Sequence, residues 1–413
     1  MNEAKQITEI DEILSHISID IQNNLNLFKD GTVESGYLGL AVFNFFLHET
    51  YRDIKFLEQG ELMIEHAIIS ISEQSKNEFF IPKYRGDTLL NLISSFGKGL
   101  LFIDKNLRYD YDFSSYYNQI NETLKEIVEP ALKSKDFDLF SGALAAGHYF
   151  LNHHVHFKST VGLQIVHDIV FNLTQCAIYH QDDQVYWKAP AYGDKVYLGI
   201  SHGSAMIINF LTKLFQHNIL TRDNHNELNL LRNAVNFVWA QKRSFDKGFF
   251  PNFYPDIDVP NTPTQLSMCY GDLGVLYSLY NASQVIHDEE LKNEVESMLL
   301  KTAARSYDSN YTLDGGVIFG CSGVYFILDR LYRNTGKKYY FDYSKYWIEQ
   351  ILLCKDPHQN TLSKFKFALE KYEDFNTAAK FSFGWGLAGI GCTLLSSFNK
   401  KLPALDELLI IGI

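Results

Sequence analysis

The chain has 413 residues, of which 46% are hydrophobic, 15% aromatic and 21% charged. This composition excludes a mainly disordered chain and supplies aromatic material for a large core. The 37 Lys and Arg against 49 Asp and Glu give a formal net charge of −12. Since no run of five basic residues occurs, the sequence argues against a general nucleic-acid binder and against a polybasic membrane patch. The composition leaves open a binding site for a basic or neutral ligand.

The N-terminal segment, residues 1–17, is acidic and amphipathic and lacks the apolar core of a signal peptide. No stretch of 18 apolar residues occurs, so no membrane span is expected. The cysteines lie far apart without C-x-x-C spacing, at Cys176, Cys269, Cys321, Cys354 and Cys392. This usage is typical of a reducing compartment with free or metal-bound thiols, and we therefore expect a cytoplasmic protein.

From the N-terminal segment onwards, apolar residues recur at three- and four-residue spacing along nearly the whole chain, which predicts a mostly helical protein. Short segments rich in Gly, Asn and Asp separate the helices, as at residues 188–195 and 311–316. No low-complexity linker divides the chain. We expect a single domain over residues 1–413, with an N-terminal helix of about residues 1–30 packing on the outside.

A repeat of variable period organises this helical pattern. Each copy has a Gly, small residues near it and then an apolar helix. In chain order the glycines are Gly39, Gly97, Gly142, Gly203, Gly271, Gly320 and Gly386. Gly at the start of a helix lets backbones approach closely, and a helix that is apolar nearly all round is buried. With one amphipathic helix per interval, the repeat predicts an all-α fold, an α/α toroid of seven helical hairpins, whose Gly-bearing helix N-termini gather at one mouth.

Three successive copies place reactive side chains beside their Gly. Asp138 lies four residues before the third Gly, His202 directly before the fourth, and Cys269 and Tyr270 directly before the fifth. Equivalent positions of a toroid point to the same mouth, so we expect these side chains to converge. A His can act as acid or base, an acid can orient it, and a Cys near helix N-termini can have a lowered pKa, as a nucleophile or metal ligand needs.

The ordered Gly copies, together with SHGSAM (201–206), MCYGDLG (268–274) and DLFSGALAAG (138–147), resemble the lanthionine synthetase C-like family, the cyclases of lanthipeptide biosynthesis. The resemblance covers about residues 36–397. It implies an α/α toroid with seven inner helices. It also implies Michael addition, in which a peptide Cys thiolate attacks the β-carbon of dehydroalanine or dehydrobutyrine and the resulting enolate is protonated, leaving a thioether ring. The implied partners are a dehydrated precursor peptide and a lanthipeptide dehydratase.

The resemblance also implies a zinc site, and this sequence departs from it. Zinc-dependent members bind Zn²⁺ through the Cys of a W-C-Y-G motif and through both residues of a C-H pair before a Gly. Cys269 and Tyr270 match the first motif, although Met268 replaces its Trp and Gln265 replaces an expected Arg. The second motif reads Ile318-Phe319-Gly320, so both of its ligands are absent.

Cys321 is the residue that a rearranged zinc site with Cys269 and His202 would use. It lies three residues beyond the usual Cys offset, about 4.5 Å along a helix axis. Because zinc sites need three or four protein ligands, we favour a site without a metal and without another cofactor. Nothing suggests a nucleotide cofactor, since the sequence has no phosphate-binding G-x-x-x-x-G-K-[ST] motif.

By the same resemblance, His202 matches the acid/base His of the family and Asp138 the acidic residue that orients or assists it. Tyr270 is expected to hydrogen-bond at the mouth, where an enolate oxygen can be stabilised. The leading hypothesis is a lanthipeptide cyclase-like enzyme without a conventional zinc site.

Two other functions stay open. The first is a non-catalytic scaffold that binds the precursor peptide within a lanthipeptide-modifying complex, suggested by the lost zinc ligands. The second is an α/α-barrel enzyme acting on carbohydrate, which needs two facing carboxylates. Asp138 and Asp272 are the acids available to it, although Asp272 follows its Gly and is expected to lie deeper.

Three further segments contain clustered imidazole, carboxylate or aromatic groups. His148, His153, His154 and His156 lie close together, and we favour a helix end with exposed imidazoles over a metal site. Asp182 and Asp183 lack the further acid of a metal motif and are interpreted as a loop or turn. Residues 249–263 predict a long loop over the mouth, with aromatic and Pro content that suits peptide capture or simple packing.

Overall fold

The computed structural model describes residues 3–75, 88–107, 109, 111–256, 261–308, 310–372 and 376–409. These residues form fourteen α-helices and four short strands, which confirms the all-α prediction. Within this described part, no helix is both long and apolar enough to cross a membrane.

Seven helices are buried nearly all round, as the repeat predicts. They are α2 (Tyr37–Tyr51), α4 (Leu89–Leu107), α6 (Ala143–Phe157), α8 (Ser204–Gln216), α10 (Asp272–Ile286), α12 (Cys321–Thr335) and α14 (Leu387–Phe398). The helices that alternate with them are amphipathic. They are α1 (Glu3–Gln22), α3 (Ile54–Ser75), α5 (Ser114–Lys133), α7 (Leu163–Gln175), α9 (His225–Ala240), α11 (Glu289–Ala303) and α13 (Lys338–Leu352).

Two antiparallel strand pairs lie in the connections. The first joins β1 (Ile178–Gln181) to β2 (Gln184–Tyr186), with Asp182 and Asp183 in the predicted turn between them. The second joins β3 (Val196–Tyr197) to β4 (Phe253–Tyr254), with Tyr197 opposite Phe253. The segment predicted as a long loop, 249–263, therefore contains a strand; its residues 257–260 lie outside the described part. Single 3-10 turns occur at Leu25–Leu27, Pro190–Tyr192, Ala368–Lys371, Thr377–Phe381 and Leu405–Leu408.

The described residues fall into two compact units. The first unit takes its residues from 1–78, 102–109 and 306–409, and the second from 79–101 and 110–305. In the first unit, α1 buries Ile10, Ile13, Leu14, Ile17 and Ile21, a stripe of helical spacing, and packs against α14. In the second unit, α8 packs against both α6 and α10. These three buried helices carry the candidate site.

A Gly caps the N-terminus of six of the buried helices: Gly36, Gly142, Gly203, Gly271, Gly320 and Gly386. The preceding loop folds back onto this Gly in each case. A Cβ at Gly142 would lie 2.4 Å from the carbonyl oxygen of Asp136, and one at Gly203 would lie 2.3 Å from that of Tyr197. The small residue is therefore required for the close approach of the loop.

The prediction that every repeat Gly begins a helix is wrong for Gly39 and Gly97. Both lie inside their helices, α2 and α4. They serve packing instead, since a Cβ at Gly39 would lie 2.3 Å from the oxygen of Val33, and one at Gly97 would lie 2.5 Å from the ring of Tyr149.

The expectation of exposed imidazoles at the end of α6 is also wrong, because two of the four histidines are buried and the other two are half-buried. His148 and His153 are 1% and 5% exposed, because α6 is buried on most of its surface. Only His154 and His156, in the last turn, are half-buried. Burial lowers the pKa of His148 to about 3 and that of His153 to about 4, so both are neutral near pH 7.

Candidate active site

The predicted site residues lie in three loops of the second unit. Each loop ends at the Gly that caps a buried helix. The loop before α6 carries Asp138, the loop before α8 carries His202, and the loop before α10 carries Cys269 and Tyr270. The loops before α6 and α8 close in the same way, since the N–H of each capping Gly donates to the carbonyl oxygen four residues earlier, from Gly142 N to Asp138 O and from Gly203 N to Gly199 O, both at 3.0 Å. Equivalent positions in the repeat are thus held by equivalent backbone paths.

His202 and Asp138 contact each other directly. The Nδ1 atom of His202 lies 2.6 Å from Oδ2 of Asp138, and the two side chains are 10% and 2% exposed. An ionised carboxylate only accepts hydrogen bonds, so Nδ1 carries the proton and donates it. This fixes the tautomer of the imidazole and leaves Nε2 to exchange a proton with a substrate.

The backbone of the same loop holds the Asp138 carboxylate in place. Its Oδ1 accepts hydrogen bonds from the N–H groups of Phe140 (2.8 Å) and Ser141 (3.1 Å). Asp136 supports this loop, because its carboxylate accepts from Asp138 N at 3.0 Å and from Ser141 Oγ at 2.9 Å. Burial raises the pKa of Asp136, and the neighbouring charge of Asp138 adds to the effect.

Asp136 is a site residue that the sequence reasoning missed, although the sequence contains a signal for it. An Asp also lies six residues before the capping Gly at Asp30 and Asp314. The carboxylates of these two accept hydrogen bonds from the backbone of Thr32 (2.6 Å) and Gly316 (2.8 Å), two residues further on, as Asp136 does from Asp138. The recurring Asp-to-Gly spacing marks the loop turn that aims Asp138.

Four aromatic rings surround the imidazole of His202. The ring centroid of Tyr192 lies 4.2 Å away, that of Tyr197 5.8 Å, and those of Tyr270 and Phe140 5.9 Å each. Burial raises the pKa values of Tyr192 and Tyr270, and the charge of Asp138 adds to both shifts. Both phenols are therefore neutral near pH 7 and can donate hydrogen bonds. Sequence reasoning predicted Tyr270 and missed the other three rings.

Cys269 lies beside this group, but as a buried thiol. It is 2% exposed, and Ser201 Oγ donates a hydrogen bond to its carbonyl oxygen at 3.3 Å. Burial raises the pKa of the Cys269 thiol well above its usual value, and the charge of Asp138 raises it further. This direction is opposite to the lowering expected from nearby helix N-termini, so the Cys269 sulfur is a neutral thiol.

The described residues do not fit the zinc ion that the resemblance implies. Zinc needs deprotonated thiols and three or more protein ligands. In the first unit, Ile318 is 3% exposed and packs on Gly384, whose oxygen accepts from Ile318 N at 2.9 Å. The Sγ atom of Cys321, the predicted substitute ligand, lies 3.8 Å from Sγ of Cys354. Across the described part of the chain, no three His, Cys, Asp or Glu residues form a group able to hold a metal ion.

Asp272 does not supply the second carboxylate that a carbohydrate enzyme needs. It is 0% exposed, and its Oδ1 accepts a hydrogen bond from Phe250 N at 2.9 Å. Its Oδ2 lies 3.8 Å from the guanidinium of Arg305. A carboxylate enclosed in this way supports the loop and cannot reach a substrate.

Comparisons with known proteins give the family from the sequence and the fold from a solved structure. The family model described as "Lanthionine synthetase C-like protein" matches residues 28–410. A solved structure titled "Nisin cyclase" has a TM-score of 0.71 and 13% identity and covers 96% of this chain and 96% of that chain. This likeness shows the fold and confirms the predicted fold class, an α/α toroid.

A second solved structure, "Crystal structure of sugar epimerase from ruminal bacterium", has a TM-score of 0.41 and 11% identity and covers 75% of this chain and 87% of that chain. A score this low carries no argument about fold or activity. No curated protein sequence matches the chain. With the family model spanning nearly its whole length, the chain belongs to the lanthionine synthetase C-like family.

Proposed function

We propose that the chain is a lanthipeptide cyclase that closes thioether rings in a dehydrated precursor peptide without a zinc ion. The observation that carries the proposal is the hydrogen bond of 2.6 Å between His202 Nδ1 and Asp138 Oδ2. It gives the site one proton-exchanging atom, Nε2 of His202, in a largely enclosed position. Family membership supports the reaction class, and the cytoplasm is the compartment we propose for it.

In this mechanism His202 acts first as a base and then as an acid. Nε2 takes the proton of the peptide Cys thiol, and the thiolate sulfur attacks the β-carbon of the dehydroamino acid. The C–S bond forms while the π electrons of the C=C bond move toward the carbonyl oxygen, giving an enolate. The imidazolium then returns its proton to the α-carbon. The net change is addition of S–H across C=C, so no other reactant is needed.

Asp138 and Tyr270 stabilise the two charges that develop. The Asp138 carboxylate holds the imidazolium that forms when Nε2 is protonated, as in other His–Asp pairs. The Tyr270 phenol, neutral because burial raises its pKa, is the donor we assign to the enolate oxygen. The rings of Tyr192 and Tyr197 shield the imidazole from water, which strengthens both interactions.

The test is ring closure by the wild-type chain and by His202→Ala. The probe is a synthetic peptide with one dehydrobutyrine and one Cys. Ring closure leaves the mass unchanged, so free thiol is counted by alkylation with N-ethylmaleimide and mass spectrometry. We expect the wild-type chain to consume the thiol and His202→Ala to be slower by about 10²–10⁴-fold. The matched control is His225→Ala, which changes an exposed His of α9.

The outcome for His202→Ala decides the role of the imidazole. A variant that folds as the wild type does and closes rings at the wild-type rate would refute general acid/base catalysis by His202. Near-UV circular dichroism and the thermal midpoint establish the folded state of each variant. Because His202 lies in the loop before α8 and not in a helix, truncation should leave the buried helices intact.

A second candidate function is a scaffold that binds the dehydrated peptide without cyclising it. The absence of a fitting zinc ligand set among the described residues favours it. The same peptide separates the two functions. The scaffold would be established if the peptide binds by fluorescence anisotropy and its thiol, after incubation with the wild-type chain, remains free and reacts fully with N-ethylmaleimide. A lanthipeptide dehydratase is then the partner enzyme to test for co-purification.

A further inference from the structure

Two cysteines of the first unit lie next to each other in the fold, although 33 residues separate them in sequence. Cys321 is the first residue of α12, and Cys354 lies in the turn that follows α13. Their Sγ atoms are 3.8 Å apart, and the residues are 0% and 3% exposed. Both are free thiols. The proposed ring-closing mechanism uses neither of them.

The surroundings of the pair keep the two cysteines next to each other. The Cys354 thiol also donates to the carbonyl oxygen of Gln350 at 3.5 Å. Gly315 lies against this side of the pair, since an added Cβ would be in ordinary van der Waals contact with the Cβ of Cys354 at 3.6 Å. Helix α12, which begins at Cys321, packs directly against α13, which ends just before Cys354.

We propose that Cys321 and Cys354 form a reversible disulfide and that this pair is a modification site for peroxides. A disulfide has an S–S length of about 2.05 Å, so the sulfurs must approach by roughly 1.8 Å. Side-chain rotation at a helix start and in a turn provides such movement. The inference is independent of the proposed ring-closing activity.

The reaction balances with hydrogen peroxide as the oxidant. The sulfur of Cys354 attacks one peroxide oxygen, which gives a sulfenic acid and releases water. The sulfur of Cys321 then attacks the sulfenic sulfur, the S–S bond forms, and the hydroxyl leaves with the Cys321 proton as a second water. Two thiols are oxidised by two electrons, and one peroxide is reduced to two waters.

We assign the first step to Cys354 because of its position. It follows Leu353, which is 62% exposed, at a helix end where the last turn opens most easily. Cys321 is enclosed at the start of a buried helix, where burial raises the pKa of its thiol well above the usual value. A neutral, enclosed thiol reacts poorly with peroxide in solution but can resolve a sulfenic acid held next to it.

The disulfide would join the start of α12 to the end of α13. It would therefore fix the loop that runs from Asp314 to Gly320 and returns to α12 through the hydrogen bond from Cys321 N to Asp314 O at 2.9 Å. A cross-link that closes a long loop lowers the entropy of the unfolded chain. We expect the oxidised protein to melt at a higher temperature than the reduced protein.

The experiment treats the full chain with hydrogen peroxide, quenches the oxidant, and alkylates the unfolded protein with N-ethylmaleimide. We expect two fewer alkylated cysteines than in the reduced chain, which has five. Peptide mapping should give one linked peptide pair containing Cys321 and Cys354, and dithiothreitol should restore all five adducts. Five adducts after oxidation, or a linked pair that includes another cysteine, would overturn the proposal.

Variants separate this pair from general oxidation. Cys321→Ser and Cys354→Ala should each abolish the linked pair. The matched control, Cys392→Ser, removes another fully buried cysteine and should leave the linked pair intact. The wild-type experiment is decisive even when a variant fails to fold, because its linked peptide identifies both sulfurs directly. Ring closure is not measured, so failure of the proposed function and failure of this inference remain distinguishable.

Discussion

The imidazole Nδ1 of His202 and the carboxylate Oδ2 of Asp138 are 2.6 Å apart, although 64 residues separate them in sequence. The two residues belong to successive copies of the helical repeat, in the loops that precede α8 and α6. Each side chain comes from a loop that folds back onto a capping Gly. The catalytic pair that we propose is therefore a direct product of the repeat and needs no element outside it.

Replacing Asp138 by Asn should lower activity while preserving the fold. The amide oxygen can still accept from Phe140 N and Ser141 N, which hold the loop. The amide NH₂ would face His202 Nδ1 as a donor, so the imidazole would carry its proton on Nε2 and lose its basic atom. We expect ring closure to slow by about 10²–10⁴-fold with little change in the thermal midpoint.

The control for this prediction is Asp182→Asn, which removes an exposed carboxylate from the turn between β1 and β2. It should close rings at the wild-type rate. An Asp138→Asn variant as fast as this control would show that the carboxylate does not set the tautomer of His202.

Tyr192 should contribute through its ring rather than through its hydroxyl. Its ring centroid lies 4.2 Å from that of His202, nearer than the other three rings. Tyr192→Ala would admit water beside the imidazole and weaken the charge interactions of the site. We expect about a tenfold loss of ring-closure rate, equivalent to about 1.4 kcal/mol. Tyr192→Phe keeps the ring and should stay within twofold of the wild type; an equal loss in both variants would assign the effect to the hydroxyl.

Cyclisation without zinc makes one prediction about the zinc content of the protein and one about Cys269. Elemental mass spectrometry should find far less than one zinc per purified chain, because the described residues lack a ligand set. Cys269→Ala should retain ring closure, since the buried, neutral thiol takes no part in the proposed steps. One zinc per chain that is lost together with activity in Cys269→Ala would instead establish a metal site and refute the metal-free mechanism.

The helical part of this structure could be predicted because its determinants are local. Apolar spacing identified the alternation of buried and amphipathic helices, and the offsets of Asp138 and His202 from their glycines placed them in equivalent loops. Tyr192 and Tyr197 could not be found in this way. They come from a 3-10 turn and a two-residue strand between the repeats. The pairing of β3 with β4 positions Tyr197, and the bridge between Ala189 and Lys195 closes the turn that carries Tyr192.

The burial of a side chain was harder to predict from the sequence than its position in the fold. Cys269 lies next to Tyr270 in the loop before α10, and the sequence suggested a lowered pKa for its thiol, because helix N-termini attract negative charge. In the structure, enclosure of the thiol outweighs that attraction. His148 shows the same limit, since its polar side chain suggested exposure, whereas the buried helix α6 encloses it.

His148 should make the stability of the protein depend on pH. Burial lowers the pKa of His148 to about 3, and the charges of Lys98 and Lys213 act in the same direction. In the unfolded chain the pKa is about 6.5. Between these two values the unfolded chain binds a proton that the folded chain does not, so stability falls as the pH decreases. This one group should remove about 2 kcal/mol from the free energy of unfolding between pH 7 and pH 5.

His148→Leu removes the titrating group and fills a similar volume. Urea unfolding at pH 7 and pH 5 should show a loss of stability that is smaller by about 2 kcal/mol in His148→Leu than in the wild type. His225→Leu, which removes an exposed imidazole from α9, should lose as much stability as the wild type does. Equal losses in all three proteins would contradict the prediction, because they would mean that His148 binds its proton equally in the folded and unfolded chains.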